Sequence, residues 1–400
     1  MAPLLPVTDA RRLIIEALTP VDVETVALSE ALGRVLRADA VAAVSHPPAD
    51  VSAMDGYALR AGDVTAVGQS LTVIGESAAG HPWAGVIGQG QAVRIFTGAH
   101  MPAGADAIVI QEDTTSSVGS VTILELPTHG RHIRKAGQDF AAGDVMLKTP
   151  HRLSARDIGL LAAMNLPRVS VARRPRIGVL STGDEIVMPG ESVGPGQIVS
   201  ANGPGLCAFA RHCGAEDIPL GVVRDDMSVL RAAIAQAGPL DLLVTSGGVS
   251  VGEHDLMGKL MGDAELSFHK IAMRPGKPLL FGRLGKLPVL GLPGNPVAAM
   301  VCAALFLKPA IERLTGLPGD APRTVAAVLG ADMNANDGRE DYIRASLVPD
   351  PSGTLLATPF PKQDSGMMSA LARAGGLVIR PPHAPEAKAG DRCFVLPLDF

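Results

Sequence analysis

The sequence predicts a multidomain α/β protein built around a doubly wound, mostly parallel sheet, and three observations carry that prediction. The chain has 400 residues, beyond the ~250–300 at which a single hydrophobic core stops growing. Between residues 173 and 318, short apolar runs alternate with segments of helical spacing, the pattern of strands joined by crossover helices. Residues 46–136 and 319–400 instead break into short strand-like runs with no helical spacing between them, the pattern of all-β modules.

Taken in order, residues 1–45 read as helical, because "DARRLIIEAL" and "SEALGRVLRADAVA" space their apolar residues at roughly 3.6. The opening stretch "MAPLLPVTDARRLIIEALTP" has no basic n-region and carries Asp9, Arg11 and Arg12 ahead of its apolar residues. It reads as a helix with Thr8 at its N-cap rather than as a signal peptide. From 46 to 136, "GYALR", "SLTVIGES", "QAVRIFTG", "DAIVIQED" and "SVTILEL" are Val-, Ile- and Thr-rich runs separated by Gly, Pro and Ser. Helical spacing returns over 137–172 in "SARDIGLLAAMN", with Ser154 as N-cap. The simplest arrangement is a discontinuous helical domain, 1–45 with 137–172, into which the β module 46–136 is inserted.

Within 173–318, "RIGVLS" leads to "PGLCAFARHCG", "DIPLGVV" to "SVLRAAIAQAG", and "DLLVTS" to "HDLMGKLMG". Strands around "FHKIAM" and "PLLFGRL" follow, then "PVLGL" and a long helix from Pro296. The runs "RTVAAVLG", "DYIRASLVP", "TLLATPF", "GLVIRPP" and "DRCFVLPL" make 319–400 a C-terminal β domain.

Composition removes several functional classes. A formal net charge of -5 without a dense basic run argues against a nucleic-acid surface, and 3% aromatic residues leave few stacking platforms. No apolar stretch of ~18 residues is long enough to span a membrane. Cys207, Cys213, Cys302 and Cys393 match neither a zinc site nor a disulfide framework and read as buried thiols in a reducing cytoplasm. "HGRH" at 129–132 reads as a solvated loop, and there is no H-E-x-x-H.

Three strands of the 173–318 region end in unusual loops. "RIGVLSTGDEI" places Ser181, Thr182, Gly183, Asp184 and Glu185 after its strand. "DLLVTSGGVSVGEHD" places Ser246, Gly247 and Gly248 there, followed by Glu253 and Asp255. "VLGLPGNPVAAM" places Pro293, Gly294, Asn295 and Pro296 between strand and helix, with Asn295 suited to N-cap and Pro296 to the first helical position. Parallel sheets bind ligands beyond the carboxyl ends of their strands, so the three loops form one candidate pocket for a phosphate-bearing ligand. Glycines let backbone N–H groups converge on an anion, and the acids suit a divalent metal. Turn and cap chemistry with a solvated acid pair is the alternative reading. The basic side comes from "FHKIAMRPGKP", where Lys270 and Arg274 share the parity of one extended face and Lys277 follows; a second oxyanion site and a solvated strand edge both fit. Acids at the borders of the inserted module are Asp50 and Asp55 in "PPADVSAMDGYALR", and Asp139 and Asp144 in "RKAGQDFAAGDVML". Asp144 reads as a turn aspartate.

Together, "SAMDGYA", "RIFTGAHMPAGADAIV", "GQDFAAGDVML", "RPRIGVLSTGDEIV", "TSGGVSVGEHD", "RPGKP" and "GLPGNPVAA" resemble the MoeA family of molybdopterin molybdenumtransferases, whose module also forms the E domain of gephyrin. The resemblance implies a MogA/MoaB-like doubly wound domain, a β-barrel-like C-terminal domain and an elongated cytoplasmic homodimer with its active site near the subunit interface. It implies a reaction of adenylylated molybdopterin and molybdate that yields molybdenum cofactor and AMP, with Mg²⁺ as cofactor and transient contact with the molybdopterin adenylyltransferase. Asp55, Thr97, Asp139, Glu185, Asp225 and Asp255 match catalytic positions, and the last three match the acids that would hold metal. Lys270 and Arg274 match the basic pair associated with molybdate, Pro293 and Pro296 match the "GLPGNP" loop, and Arg344 and Ser365 match C-terminal-domain positions. Arg274 stands where relatives often carry lysine. The competing readings are a molybdopterin adenylyltransferase, which would need neither "SAMDGYA" nor a C-terminal domain, and a partner-binding scaffold of the same fold.

Overall fold

The computed structural model describes residues 4–223, 227–248 and 266–400. The expected helix "HDLMGKLMG" and the acids Asp225, Glu253 and Asp255 lie outside the described residues. The chain forms two compact units, one of Met1–Glu24 with Ala172–Phe400 and the other of Thr25–Val171.

The first unit contains the doubly wound sheet. Its six strands run in the spatial order Glu216–Val223, Arg176–Thr182, Leu242–Ser246, Leu287–Leu292, Pro278–Leu284, Leu266–Lys270. The first three pairings are parallel and the last two antiparallel. Ile177, Val179, Leu242, Val244, Leu290 and Leu292 are buried in one core cluster and the intervening Leu180, Leu243 and Val289 in another, which is why the parallel strands read as continuous apolar runs rather than alternating ones. Helices Asn202–His212 and Met227–Gln236 are the crossovers. The helix from Pro296 runs to Cys302, passes through a π-helical turn at Ala303–Leu307 and continues as Lys308–Thr315. That turn ends two residues before Pro309, whose missing N–H and ring disturb a regular α-helical ladder.

The N-terminal helix, Val7–Ala17, buries Val7, Ala10 and Ile14 in this same cluster, an i, i+3, i+7 stripe. It begins two residues earlier than expected: Pro6 occupies the N-cap and Thr8 lies inside the helix. The C-terminal segment closes into a barrel of five strands, Val325–Leu329, Glu340–Pro349, Leu355–Pro359, Gly376–Arg380 and Arg392–Pro397, since the long strand pairs with both Leu355–Pro359 and Gly376–Arg380. Ala327, Leu329, Ala345, Ala357, Val378 and Val395 fill its core.

The second unit carries a six-stranded sheet in the order Ala107–Ile110, Gly56–Leu59, Gln91–Ile95, Ser70–Ser77, Ser120–Ile123, Thr114–Ser117. Helix Ala155–Ala163 starts at Ser154 with a reciprocal capping box to Asp157, as its sequence predicts. The helix expected over "SEALGRVLRADAVA" is absent. Leu28–Glu30 forms one 3₁₀ turn, and Val35–Leu36 and Ala40–Val41 are strands. Gly33 sits at φ +74° with its N–H on Leu153 O, and Val35–Leu36 pairs with His151–Arg152. Long-range partners here supply the hydrogen bonds that a short, marginal helix would have to make alone.

Candidate functional site

Three parallel strands stop at one edge of the doubly wound sheet, and their loops enclose a cavity of about 410 Å³. Ser181 and Thr182 end the first strand, each only 4% exposed. Their hydroxyls, Ser181 Oγ and Thr182 Oγ1, are buried with no hydrogen-bond partner among the described residues. Gly183 follows at φ +143°, and a Cβ there would lie 2.6 Å from Glu185 Oε2. The absence of a side chain at 183 thus lets the Glu185 carboxylate fold back along the cavity wall.

Asn202, the first residue of helix Asn202–His212, ties the other two loops together. Its Nδ2 donates to Ser246 Oγ at 2.6 Å and to Gly294 O at 2.7 Å. Because a backbone carbonyl only accepts, these bonds fix the orientation of the amide. Both Nδ2 hydrogens are used, while Asn202 Oδ1 is buried without a partner among the described residues. Gly247 and Gly248 take φ +89° and +65°, and a Cβ at Gly247 would meet Thr182 O at 2.5 Å.

The glycine loops contribute less backbone donation than the sequence suggests. Gly183 N–H donates to Val223 O and Gly247 N–H to Leu292 O, so neither amide is free for an anion. Ser181, Thr182, Ser246 and the N-terminus of helix Asn202–His212 line the ligand space instead. Helix N-termini present unsatisfied N–H groups and a positive partial charge. Asn295 does stand at the N-cap, but its side chain makes no cap bond. It donates to Ser365 Oγ at 2.9 Å, while Val297 N–H donates to Ser365 O.

A second cavity of about 390 Å³ adjoins the first and shares Pro278, Pro293 and Asn295 with it. Arg274, Lys277 and Arg339 are its cations, and Ser365 is also in its wall. Lys270 and Arg274 do not share the face of one strand. Lys270 ends a strand of the doubly wound sheet, whereas Met273–Arg274 pairs in parallel with the barrel strand at Glu340–Asp341. The chain changes sheets between the two residues, and exposed Lys270 is outside the cavity wall. Arg274 Nη2 bonds Asp341 Oδ2, and its Nη1 lies 3.8 Å from Asp337. A hydrogen bond from Arg339 holds the Asp337 carboxyl down at about 2. Arg344 is 2% exposed, bonded to Gln363 Oε1 at 3.2 Å and Met367 O at 3.3 Å. Burial pushes its guanidinium below the usual arginine value. It supports the 363–367 loop that carries Ser365 and does not itself line either cavity.

Of the site residues expected from sequence, Ser181, Thr182, Glu185, Ser246, Gly247, Gly248, Pro293, Gly294, Asn295 and Pro296 meet in the first cavity. Arg274, Lys277 and Ser365 meet in the second. Gly183 and Asp184 belong to the first loop without lining the cavity. Asp55, Thr97 and Asp139 belong to the other unit. There Asp55 Oδ1 accepts from Thr97 N–H at 2.7 Å and Thr97 Oγ1 at 2.8 Å. Those bonds, the backbone one first, lower the Asp55 carboxyl below its ordinary value. Asp139 lines a cavity of about 640 Å³ with His46, His100 and Arg134. Asp144 takes the Ala141 N–H, as a turn aspartate does. Asn202, Arg339 and Gln363 were not singled out from the sequence.

Among the described residues no three His, Cys, Asp or Glu side chains cluster to hold a metal ion. What the arrangement offers is a cleft of unpartnered hydroxyls and one helix N-terminus beside a guanidinium-lined pocket, the makings of a binder of an anionic small molecule. Comparison with known proteins sharpens this class to a family. Residues 5–165 match the MoeA N-terminal region (domains I and II), 178–313 a probable molybdopterin binding domain, and 326–398 the MoeA C-terminal region (domain IV). A molybdopterin molybdenumtransferase 2 of Mycobacterium tuberculosis is 36% identical over 401 residues, covering 97% of this chain and 98% of that one. A molybdopterin molybdenumtransferase of Haemophilus influenzae is 34% identical over 403 residues, covering 99% of each. The crystal structure of a molybdopterin biosynthesis MoeA protein from Pyrococcus horikosii superposes with a TM-score of 0.84 at 31% identity, covering 99% of each chain. The chain belongs to the MoeA family.

Proposed function

We propose that this protein is a molybdopterin molybdenumtransferase, which takes adenylylated molybdopterin and molybdate and releases AMP as the molybdenum cofactor forms. The observation that carries the reading is the pair of adjoining cavities. One supplies hydroxyls and the N-terminus of helix Asn202–His212 for the phosphates of the adenylylated pterin. The other supplies guanidinium and ammonium groups for the molybdate dianion. The shared wall of Pro278, Pro293 and Asn295 brings the two substrates next to each other, which is what a reaction between bound partners requires.

Mg²⁺ belongs to the proposal. Glu185, a hard oxygen donor beside the unpartnered hydroxyls, suits an ion that is bound through one or two carboxylates plus substrate phosphates; Asp225 and Asp255 are the further candidates. When bound, the ion supplies charge neutralisation at the phosphoanhydride. Ser181, Thr182 and Asn202 orient the substrate, and Asn295 with Ser365 fixes the wall between the pockets. Asp55, Thr97 and Asp139 act in the same reaction, the protein works as a homodimer, and the division into domains 1–45 with 137–172, 46–136, 173–318 and 319–400 is part of this reading. A cytoplasmic setting and hand-over from a molybdopterin adenylyltransferase complete it. Cys207, Cys213, Cys302 and Cys393 are free thiols, which suits a reducing compartment.

The test is AMP release from adenylylated molybdopterin, followed with and without molybdate and Mg²⁺. Release that depends on both is the expected outcome. Pyrophosphate release from ATP and molybdopterin, with no molybdate-dependent AMP, would instead make the protein an adenylyltransferase.

A further inference from the structure

We infer that Asp341 is the positioning residue that aims Arg274 at its oxyanion, an inference that rests on the molybdate reading of the second cavity. Asp341 lies on the barrel strand Glu340–Pro349, directly opposite Arg274 in the short parallel pairing. It is 3% exposed. One carboxylate oxygen, Oδ2, takes Arg274 Nη2. The other, Oδ1, is buried without a hydrogen-bond partner among the described residues.

This pair makes a poor structural brace. Desolvating a carboxylate is costly, and its attraction to one partner repays the cost only when the remaining lone pairs are also satisfied. Here they are not. The Arg274 side chain is 48% exposed, so without Asp341 the guanidinium would remain solvated rather than be stranded in the core. The burial cost therefore falls on Asp341, and what results is the orientation of Arg274 at the rim of the second cavity.

Orientation is what a planar fork needs. The guanidinium carries five N–H donors in fixed directions. Asp341 engages Nη2, and Asp337, already bonded to Arg339, lies 3.8 Å from Nη1. The remaining N–H directions are then set for a tetrahedral dianion, which takes parallel hydrogen bonds from a guanidinium but only a point charge from an ammonium. A lysine held by Asp341 would present a point charge rather than a second edge of parallel donors, so Asp341 is matched to the arginine of this chain.

The experiment compares wild type, Asp341→Asn, Arg274→Ala, Arg274→Lys and the combined Asp341→Asn/Arg274→Ala protein. Molybdate binding is measured by equilibrium dialysis, thermal unfolding gives stability, and AMP release is titrated separately in molybdate and in adenylylated pterin. Asp341→Asn is expected to weaken molybdate binding about tenfold, the scale of one charge-assisted hydrogen bond. Pterin dependence should hold, and the unfolding midpoint should stay level or rise. The double variant should bind molybdate no worse than Arg274→Ala alone, because a residue acting through another gives non-additive losses. Arg274→Lys should lose about as much as Asp341→Asn, an arm that does not depend on altering Asp341. Unchanged molybdate binding in Asp341→Asn, or losses that add in the double variant, would overturn the inference. A lowered unfolding midpoint with molybdate binding intact would make Asp341 a brace and overturn it equally. Dialysis decides this whether or not AMP is released, while a wild type without molybdate-dependent AMP release would remove the transferase reading by itself.

Discussion

In the Thr25–Val171 unit, Asp55 takes two hydrogen bonds from Thr97, Asp157 takes two from Ser154, and Asp50 takes Lys135 Nζ and the Ala136 N–H. In the cleft of the doubly wound sheet, Ser181 Oγ, Thr182 Oγ1 and Asn202 Oδ1 are buried with no partner among the described residues. The two regions use polar groups differently. A carboxylate that arrives with its donors is fixed in charge and place by the fold alone. A buried hydroxyl without a partner costs stability until something else bonds it. The cleft's polar atoms are therefore the ones whose satisfaction belongs to the ligand, and substitutions in the two regions should separate stability from turnover.

The largest effect is expected where the cleft's shape depends on a missing side chain. Gly247 holds φ +89°, and a Cβ there would come within 2.5 Å of Thr182 O. Gly247→Ala forces a side chain into a left-handed backbone and against a strand end, a cost of about 3 kcal/mol. Urea unfolding should show that loss, and AMP release should fall with it because relieving the clash must shift a loop or strand end that lines the cavity. A Gly247→Ala protein of unaltered stability would mean the loop is not braced by Thr182.

A paired substitution sharpens the contrast between the regions. Thr182→Val removes a buried hydroxyl that has no partner, so stability should hold or rise, while turnover drops about tenfold through the lost ligand bond. Thr97→Val instead removes a donor from a carboxylate. The Asp55 carboxyl should move up toward its ordinary value, so the acid limb of the pH–rate profile shifts to higher pH. Equal stability losses in both variants, with no change in the pH profile, would erase the distinction.

The fold was legible where the pattern was local and long. Leu242–Ser246 and the helix from Pro296 follow from apolar runs ending in turn or cap residues, and Ser154 declared its helix. Residues 28–42 misled because their apolar spacing fits a helix while their hydrogen bonds come from Leu153, His151 and Arg152, far along the chain. Lys270 and Arg274 misled for a related reason: parity predicts a shared face only while the chain stays in one sheet, and here it leaves one for another at Ile271–Ala272. The motif residues of the three loops were readable because parallel strands deliver their ends to one edge. Asn202 was not, since its role depends on Ser246 and Gly294 being brought to it, a contact that no local pattern encodes.

The smallest effect concerns a polar group that serves the fold alone. Ser154 caps the helix Ala155–Ala163 and donates from both its hydroxyl and its N–H to Asp157. Burial works against ionisation of Asp157, but those bonds and the His151 ring outweigh it and bring its carboxyl from 3.8 down to about 2. A folded value below the unfolded one gives stability that is present above about pH 4 and is lost as the pH falls toward 2. Ser154→Ala should cost about 1 kcal/mol at neutral pH, the usual worth of a cap. The gap between variant and wild type should narrow steadily below pH 4, where both lose the ionised Asp157. Denaturant titrations across that range measure the gap directly. AMP release per folded molecule should be unaffected, because no ligand atom waits on this carboxylate. A loss of turnover at full stability would place the Ser154–Asp157 pair in the reaction and overturn its assignment to the fold alone.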